Sequence, residues 1–163
     1  MLKNYQIRRF QMPKEEVKSF VKEKRQELKS QQQCIKAASL PVLVQIEGWG
    51  AAGKGTLIGN LIKELDPRFF TVINMDTPGG QKQRRPFLWR YMEQIPETGK
   101  FVFWDSGWVD ELAEGFLNGE IDEEALERQM RQIRTFDRQL KDNGYLVVKL
   151  FLQIPRSEQK RRK

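Results

Sequence analysis

Apolar residues recur along this chain in two rhythms. Short unbroken runs, at 41–47, 69–75, 100–104 and 145–154, alternate with longer stretches in which apolar side chains return every three or four positions. The first rhythm predicts buried strands and the second amphipathic helices. The helical stretches are 14–38, behind Pro13 and with Val17, Phe20, Val21 and Leu28 on a narrow face; 54–65, stopped by Asp66-Pro67; and 81–95, with Phe87, Leu88, Tyr91, Met92 and Ile95 in step and Pro96 beyond. Two more follow: 110–117, and 122–142 with Leu126, Met130, Ile133, Phe136 and Leu140 on one face and Asn143-Gly144 as its stop. Ser157 is expected to open a last, basic helix. Strands that alternate with helices, and that read as continuous apolar runs, imply an α/β doubly wound parallel sheet with helices on both faces. Residues 1–40 are expected to form an N-terminal helical extension and residues 41–163 the α/β domain. The chain stops inside a basic helix just after its fourth strand, so a fragment is expected, with the C-terminal part of the domain missing.

Ligands of such sheets gather at the carboxyl ends of the strands. Gly48, Asp76, Asp105 and Pro155 lie at those ends. The first strand runs into Gly48-Trp-Gly-Ala-Ala-Gly-Lys-Gly-Thr56. A strand, a glycine-rich turn closing in Gly-Lys, and a helix predict a P-loop: backbone N–H groups line the turn, the lysine reaches the outer phosphates, and the positive end of the helix faces the anion. Gly48, Gly50, Ala52, Gly53, Lys54, Gly55 and Thr56 are the candidate phosphate-binding positions. Gly55 stands where a metal-touching Ser or Thr is usual, and Thr56 comes one residue later. Phe101 to Asp105 is an apolar strand ending in a carboxylate, the form of an element that holds Mg²⁺ beside a phosphate loop. Asp110 and Glu111 are expected to cap the next helix and face solvent.

Charge supports an anionic ligand. The chain has 29 Lys and Arg against 22 Asp and Glu, a formal net charge of +7. Lys82, Arg84, Arg85 and Arg90 are interleaved with Phe87 and Trp89, and Arg84 and Arg85 are candidates to clamp phosphate oxygens. Arg156, Lys160, Arg161, Arg162 and Lys163 form a further basic cluster that could line an anionic channel. The sequence contains no histidine, which removes histidine nucleophile relays, bases and zinc sites, and leaves carboxylate, Lys/Arg and metal chemistry. Cys34 is the single cysteine, so no intramolecular disulfide forms; it is expected to be a small filler on its helix. No apolar stretch is long enough to span a bilayer and the N-terminus lacks the shape of a signal peptide, so a cytoplasmic location is expected.

Several separate motifs, in order, resemble the polyphosphate kinase 2 family. Glu47-Gly-Trp-Gly-Ala-Ala-Gly-Lys-Gly55 is similar to its E-G-x-D-A-A-G-K-G loop, in which glycine after the lysine is normal. Leu65-Asp-Pro-Arg68, Thr77-Pro78, Arg90-Tyr91, Ile95-Pro96-x-x-Gly99, Trp104-Asp105-Ser-Gly-Trp108, Phe136-Asp-Arg-Gln-Leu140 and Ser157-x-Gln159-x-x-Arg162 follow its later landmarks. The likeness covers about residues 35–163. It implies an Mg²⁺-dependent phosphotransferase that moves a phosphoryl group between inorganic polyphosphate, held in a basic channel, and an adenine or guanine nucleotide. Carried over position by position, Gly48, Gly53, Lys54, Gly55, Asp105 and Arg90 are the site residues, with Lys54, Asp105 and Arg90 catalytic and Asp105 the metal ligand. Two departures stand out. The family's loop aspartate is Gly50 here, and the arginine after its strand-three aspartate is Ser106. The resemblance therefore also implies an alternative, a degenerate polyphosphate- or nucleotide-binding domain that packs on an active partner domain, in a tandem chain or a homo-oligomer. A GTPase is a weaker alternative: Asp76-Thr-Pro-Gly79 resembles a γ-phosphate sensor, but no guanine-reading N-K-x-D stretch appears. Net charge alone permits nucleic-acid binding, and no recognition motif supports a specific one.

Overall fold

The computed structural model describes residues 12–75 and 85–162. The elements follow in the order α1 (Lys14–Ala37), β1 (Val42–Gly48), α2 (Lys54–Ile62), β2 (Phe70–Asn74), α3 (Trp89–Met92), β3 (Phe101–Asp105), α4 (Trp108–Leu117), α5 (Glu123–Asp142), β4 (Leu146–Leu152) and α6 (Arg156–Arg162). A 3-10 turn, Pro67–Phe69, precedes β2, and the Asp66 side chain caps it by accepting from the Arg68 backbone N–H.

The four strands form one parallel sheet in the order β2-β3-β1-β4. β1 is central and every one of its residues is buried. Its alternate side chains supply two cores. On one face Val42, Val44 and Ile46 pack with Phe101, Phe103, Ile58 and Leu65 beneath α1 and α2. On the other, Leu43, Val102 and Trp104 pack with Trp108, Leu112, Ile133, Phe136 and Leu140 of α4 and α5. The expected doubly wound arrangement is therefore present, and the α5 stripe faces inward as its spacing requires.

The strands are not equally covered. β2 and β4 are the edges of this sheet, and Val72, Leu146, Leu150 and Phe151 are exposed although their sequence reads as a buried run. An edge strand has a neighbour on one side only, so its apolar side chains are half-covered at best. α2 ends at Ile62, short of the expected 65, and α4 begins two residues early, at Trp108. Of the helix expected over 81–95, the described residues keep only the single turn of α3, and Asp76, Thr77, Pro78, Gly79, Lys82 and Arg84 lie outside them. The last helix starts at Arg156 rather than Ser157.

α1 differs most from expectation. Val17 and Phe20 are exposed, and so is Cys34, which fills nothing. The helix docks by its C-terminal half, where Leu28 and Ile35 meet the α2-side core. Gln32 is fully buried there: its amide donates to the Asp66 carbonyl at 3.2 Å and accepts from the Asp66 N–H at 2.8 Å. Arg25 adds a bond to the Asn60 carbonyl at 2.9 Å. A buried side-chain amide that completes a backbone amide is costly to remove, because its partner is left unpaired. No helix among the described residues is long and apolar enough to cross a membrane.

The Gln32→Ala variant is expected to lose about 2 kcal/mol of unfolding free energy, measured by urea denaturation followed by circular dichroism. Unchanged stability would show that α1 is held by its apolar contacts alone.

Candidate functional site

The site lies where β1 ends between its two neighbours. Ile46 stands opposite Asp105 and Gly48 opposite Leu152, so the chain leaves the sheet flanked by the ends of β3 and β4. Gly48 has φ 144°, and a Cβ there would lie 2.3 Å from the Leu152 carbonyl oxygen. Only glycine fits such an approach. The turn then closes through Ala52 N–H to the Trp49 carbonyl at 2.9 Å, with Ala51 at φ 64° and Gly53, the N-cap of α2, at φ 98°.

Lys54 opens α2 and its ammonium group arches back over the turn. It donates to the Gly48 carbonyl at 3.0 Å and to the Asp110 carboxylate at 3.2 Å. Asp105 ends β3 beside it: a Cβ on Gly55 would lie 3.8 Å from Asp105 Oδ2. Residue 55 thus faces a carboxylate, and glycine there leaves space between Asp105 and the first turn of α2. Thr56 is exposed on that turn.

α6 crosses the outer face of the loop. Gln159 donates to the Gly50 carbonyl at 3.0 Å, and the Arg162 guanidinium reaches toward the carbonyls of Ala51 and Ala52 at 3.4 Å each. Glu158 holds Arg162 at 2.6 Å and Arg161 at 2.7 Å. The paired guanidinium groups keep the Glu158 carboxyl well below its ordinary range, at about 2. Arg156 sits exposed at the start of α6.

A second cluster adjoins the loop. Arg90 donates to the Met75 carbonyl at 2.9 Å, to the Tyr91 hydroxyl at 2.7 Å and to Glu111 at 2.5 Å, and the Tyr91 hydroxyl donates to the same Glu111 oxygen at 2.7 Å. Burial, with Glu111 beside it, pushes the Tyr91 hydroxyl far above its usual range, so it stays a proton donor. Arg90 and Glu111 line a cavity of about 640 Å³ at the carboxyl end of β2, floored by Ile73, Met75 and Leu112. Arg85 is at its wall, with its guanidinium over the Trp89 ring at 5.5 Å.

Asp110 and Glu111 correct the sequence reading. They lie in the first turn of α4, but their side chains are only 26% and 28% exposed and each pairs with a cation of the site, Lys54 and Arg90 respectively. Their position in the chain suggests a solvated cap; only the tertiary fold turns them inward.

Glu47 also escapes a reading by pattern. It is buried at the penultimate position of β1, where its carboxylate accepts from the Val109 N–H at 3.0 Å and so anchors the start of α4. A Cβ on Gly107 would come within 2.8 Å of Glu47 Oε1, so a side chain there would require the Glu47 carboxylate to shift. Burial, and then the charge of Asp110, push the Glu47 carboxyl up to about 7. Ser106, the position departing from the family arginine, has φ 68°, is 1% exposed and has a hydroxyl without a hydrogen-bond partner. Gly50 is roomier: its nearest neighbour to a built Cβ is Gln159 Nε2 at 3.8 Å.

The fold thus brings together Gly48, Gly50, Ala52, Gly53, Lys54, Gly55, Thr56 and Asp105 at one strand end, and sets Arg90 and Arg85 at the neighbouring cavity. The family profile of polyphosphate kinase 2 matches residues 11–163. An NDP-polyphosphate phosphotransferase of Ruegeria pomeroyi is 34% identical over 136 residues, covering 83% of this chain and 45% of that protein. A polyphosphate:AMP phosphotransferase of Pseudomonas syringae is 34% identical over 113 residues, covering 69% of this chain and 23% of that protein. The chain therefore spans half or less of the length of these relatives. The crystal structure of a polyphosphate kinase 2 from Arthrobacter aurescens superposes with a TM-score of 0.88 at 24% identity, over 94% of this chain and 56% of that one.

One solution measurement follows from Glu47. An acid whose folded value is raised from its ordinary 4.5 to about 7 binds more protons when folded than unfolded in that window. Its contribution to stability is therefore present below pH ~4.5 and is lost as pH rises to ~7. The chain has no histidine, the side chain whose ordinary range falls within that window. Glu47→Gln is expected to flatten the fall in melting temperature between those two pH values; an unchanged slope would show that Glu47 does not titrate there.

Proposed function

The chain belongs to the polyphosphate kinase 2 family, and we propose that its 48–56 loop holds a phosphate chain for phosphoryl transfer between inorganic polyphosphate and a nucleotide. The observation that carries this reading is the loop itself. A turn that admits only glycine at Gly48 and sets Gly53 in the left-handed region leads into a helix start, with an ammonium group folded over it. That arrangement offers a positive end, a fixed cation and close backbone approach to an anion.

In this reading Lys54 binds the outer phosphate oxygens and Arg90 neutralises charge from the side of the cavity. The 640 Å³ cavity offers Ile73 and Leu112 to a base and Arg85 and Arg90 to phosphates, the two arginines standing among the carboxylates of Glu93, Glu111 and Glu120, and it suits a nucleotide. The basic face of α6, with Arg156 and Arg162, adjoins the loop and suits a longer polyanion. Arg84, the other candidate phosphate clamp, lies outside the described residues.

Magnesium fits the residues present. Mg²⁺ is commonly held by one or two carboxylates together with substrate phosphates and water, and Asp105 presents its carboxylate to the first turn of α2 beside the loop. Asp105 would be its protein ligand, and the ion would neutralise charge on the phosphates. Asp105 would hold the ion, Lys54 would orient the phosphate chain, and the buried Trp108 and Leu112 below keep the α4 start in place. Transfer of this kind depends on positioning and charge neutralisation rather than covalent work by the protein.

A second reading is favoured by two specific positions. Gly50 supplies no loop carboxylate, and Ser106 supplies no cation and is sealed in the core. The chain would then bind phosphate without efficient transfer and act beside an active partner domain. Removal of one well-placed electrostatic group typically lowers a rate about 10²–10³-fold.

Lys54→Ala is expected to weaken the binding of tripolyphosphate about tenfold or more, measured by isothermal titration calorimetry in low salt. Asp105→Asn is expected to leave tripolyphosphate binding largely intact while abolishing its enhancement by Mg²⁺. Unaltered affinity in Lys54→Ala would remove the loop from the account. For the second reading, Gly50→Asp is expected to raise the rate of phosphoryl transfer from polyphosphate; no gain would leave the first reading in place.

A further inference from the structure

We infer that Asp110 and Glu111 set the affinity of this site, acting as internal competitors of the phosphate ligand for Lys54 and Arg90. The inference rests on the proposed phosphate-binding role of the loop. Two consecutive residues in the first turn of α4 point to two different cations. Asp110 takes Lys54 at 3.2 Å and Glu111 takes Arg90 at 2.5 Å. All four side chains are between 16% and 28% exposed, so the pairs are neither open to full solvent screening nor sealed in the core. Arg90 is further held by the Met75 carbonyl and the Tyr91 hydroxyl, and Tyr91 locks the same Glu111 oxygen.

The placement is imposed by the fold rather than by chance rotamers. Glu47, the penultimate residue of β1, accepts the Val109 N–H and pins the start of α4 one residue before Asp110. β1 therefore fixes both the loop that carries Lys54 and the helix that carries its competitor. A phosphate that approaches Lys54 meets a carboxylate already in place, and its own charge is repelled by that carboxylate. To bind, the anion must displace Asp110 from the ammonium group, and a ligand that reaches Arg90 must displace Glu111. The two residues thereby favour ligands dense enough in charge to win both cations at once, which a condensed phosphate chain is and a single orthophosphate is not.

The test compares four proteins by calorimetric titration with tripolyphosphate and with orthophosphate in low salt. They are the native chain, Asp110→Asn/Glu111→Gln, the same double variant with Lys54→Ala, and a control, Glu97→Gln/Asp142→Asn. The control makes the same change in net charge at the opposite end of the sheet, where Glu97 precedes β3 and Asp142 closes α5 ahead of β4. Circular dichroism melting confirms that each protein is folded. The expected result is a gain of about tenfold or more in tripolyphosphate affinity for the double variant, a smaller proportional advantage over orthophosphate, loss of the gain with Lys54→Ala, and little change in the control. An equal gain in the control would overturn the inference in favour of general charge. So would a gain that survives Lys54→Ala undiminished. Should the native chain bind tripolyphosphate through Lys54 and the double variant bind no better, the inference falls and the proposed function stands. Should neither protein bind tripolyphosphate, the proposed function falls and the inference with it.

Discussion

The site depends on a near-contact of two backbones. At the end of β1, Gly48 lies so close to Leu152 of β4 that a methyl group would overlap the neighbouring carbonyl. The Trp49 N–H, one residue on, closes that approach with a bond to the same oxygen at 3.2 Å. β4 thus sets the angle at which the chain leaves the sheet. The left-handed Ala51 and Gly53, the start of α2 and the direction of Lys54 follow from that exit. β3 contributes from the other side. It ends at Asp105, opposite Ile46, which leaves its carboxylate beside the beginning of α2.

Beneath this rim the packing is aromatic. Tyr91, Trp104, Trp108 and Phe136 meet edge-on or tilted, with ring centroids 5.2 to 6.1 Å apart. Such pairs are directional as well as apolar. They place α3, α4 and α5 against the sheet in one arrangement, and polar groups are then hung from the cluster's upper edge: the Tyr91 hydroxyl on Glu111, and Lys149 above the Trp108 ring at 5.0 Å with Asp137 as its ion partner. Glu47 joins strand and helix in the same layer. The electrostatics of the site are thereby carried by residues whose backbone positions the hydrophobic core has already decided.

Much of this was legible in the chain. The periodicity of Leu126, Met130, Ile133, Phe136 and Leu140 gives α5 and its inward face, and the apolar runs at 41–47 and 100–104 give the two inner strands, each within a residue of its observed bounds. The glycine spacing of the loop carries its shape, since Gly48 and Gly53 stand where other residues clash or strain. What stayed hidden depends on neighbours distant in sequence. Gln32 looks like one more polar residue in a polar helix until Asp66, 34 positions away, presents its backbone. Asp110 and Glu111 look like helix-start acids until Lys54 and Arg90 approach from α2 and α3. The exposure of β4 could not be read either, because a strand's composition does not say whether it lies inside a sheet or at its margin.

The four tryptophans divide sharply by depth. Trp104 and Trp108 are enclosed, whereas Trp49 and Trp89 are 46% and 41% exposed. Trp49 belongs to the 48–56 loop and stands edge-on to Phe151, and Trp89 lies at the cavity wall under the Arg85 guanidinium. Indole emission shifts with the polarity and charge around the ring, so Trp49 and Trp89 are natural optical reporters of the loop and of the cavity. The enclosed pair lies away from solvent, and the two exposed rings can be read without any label attached.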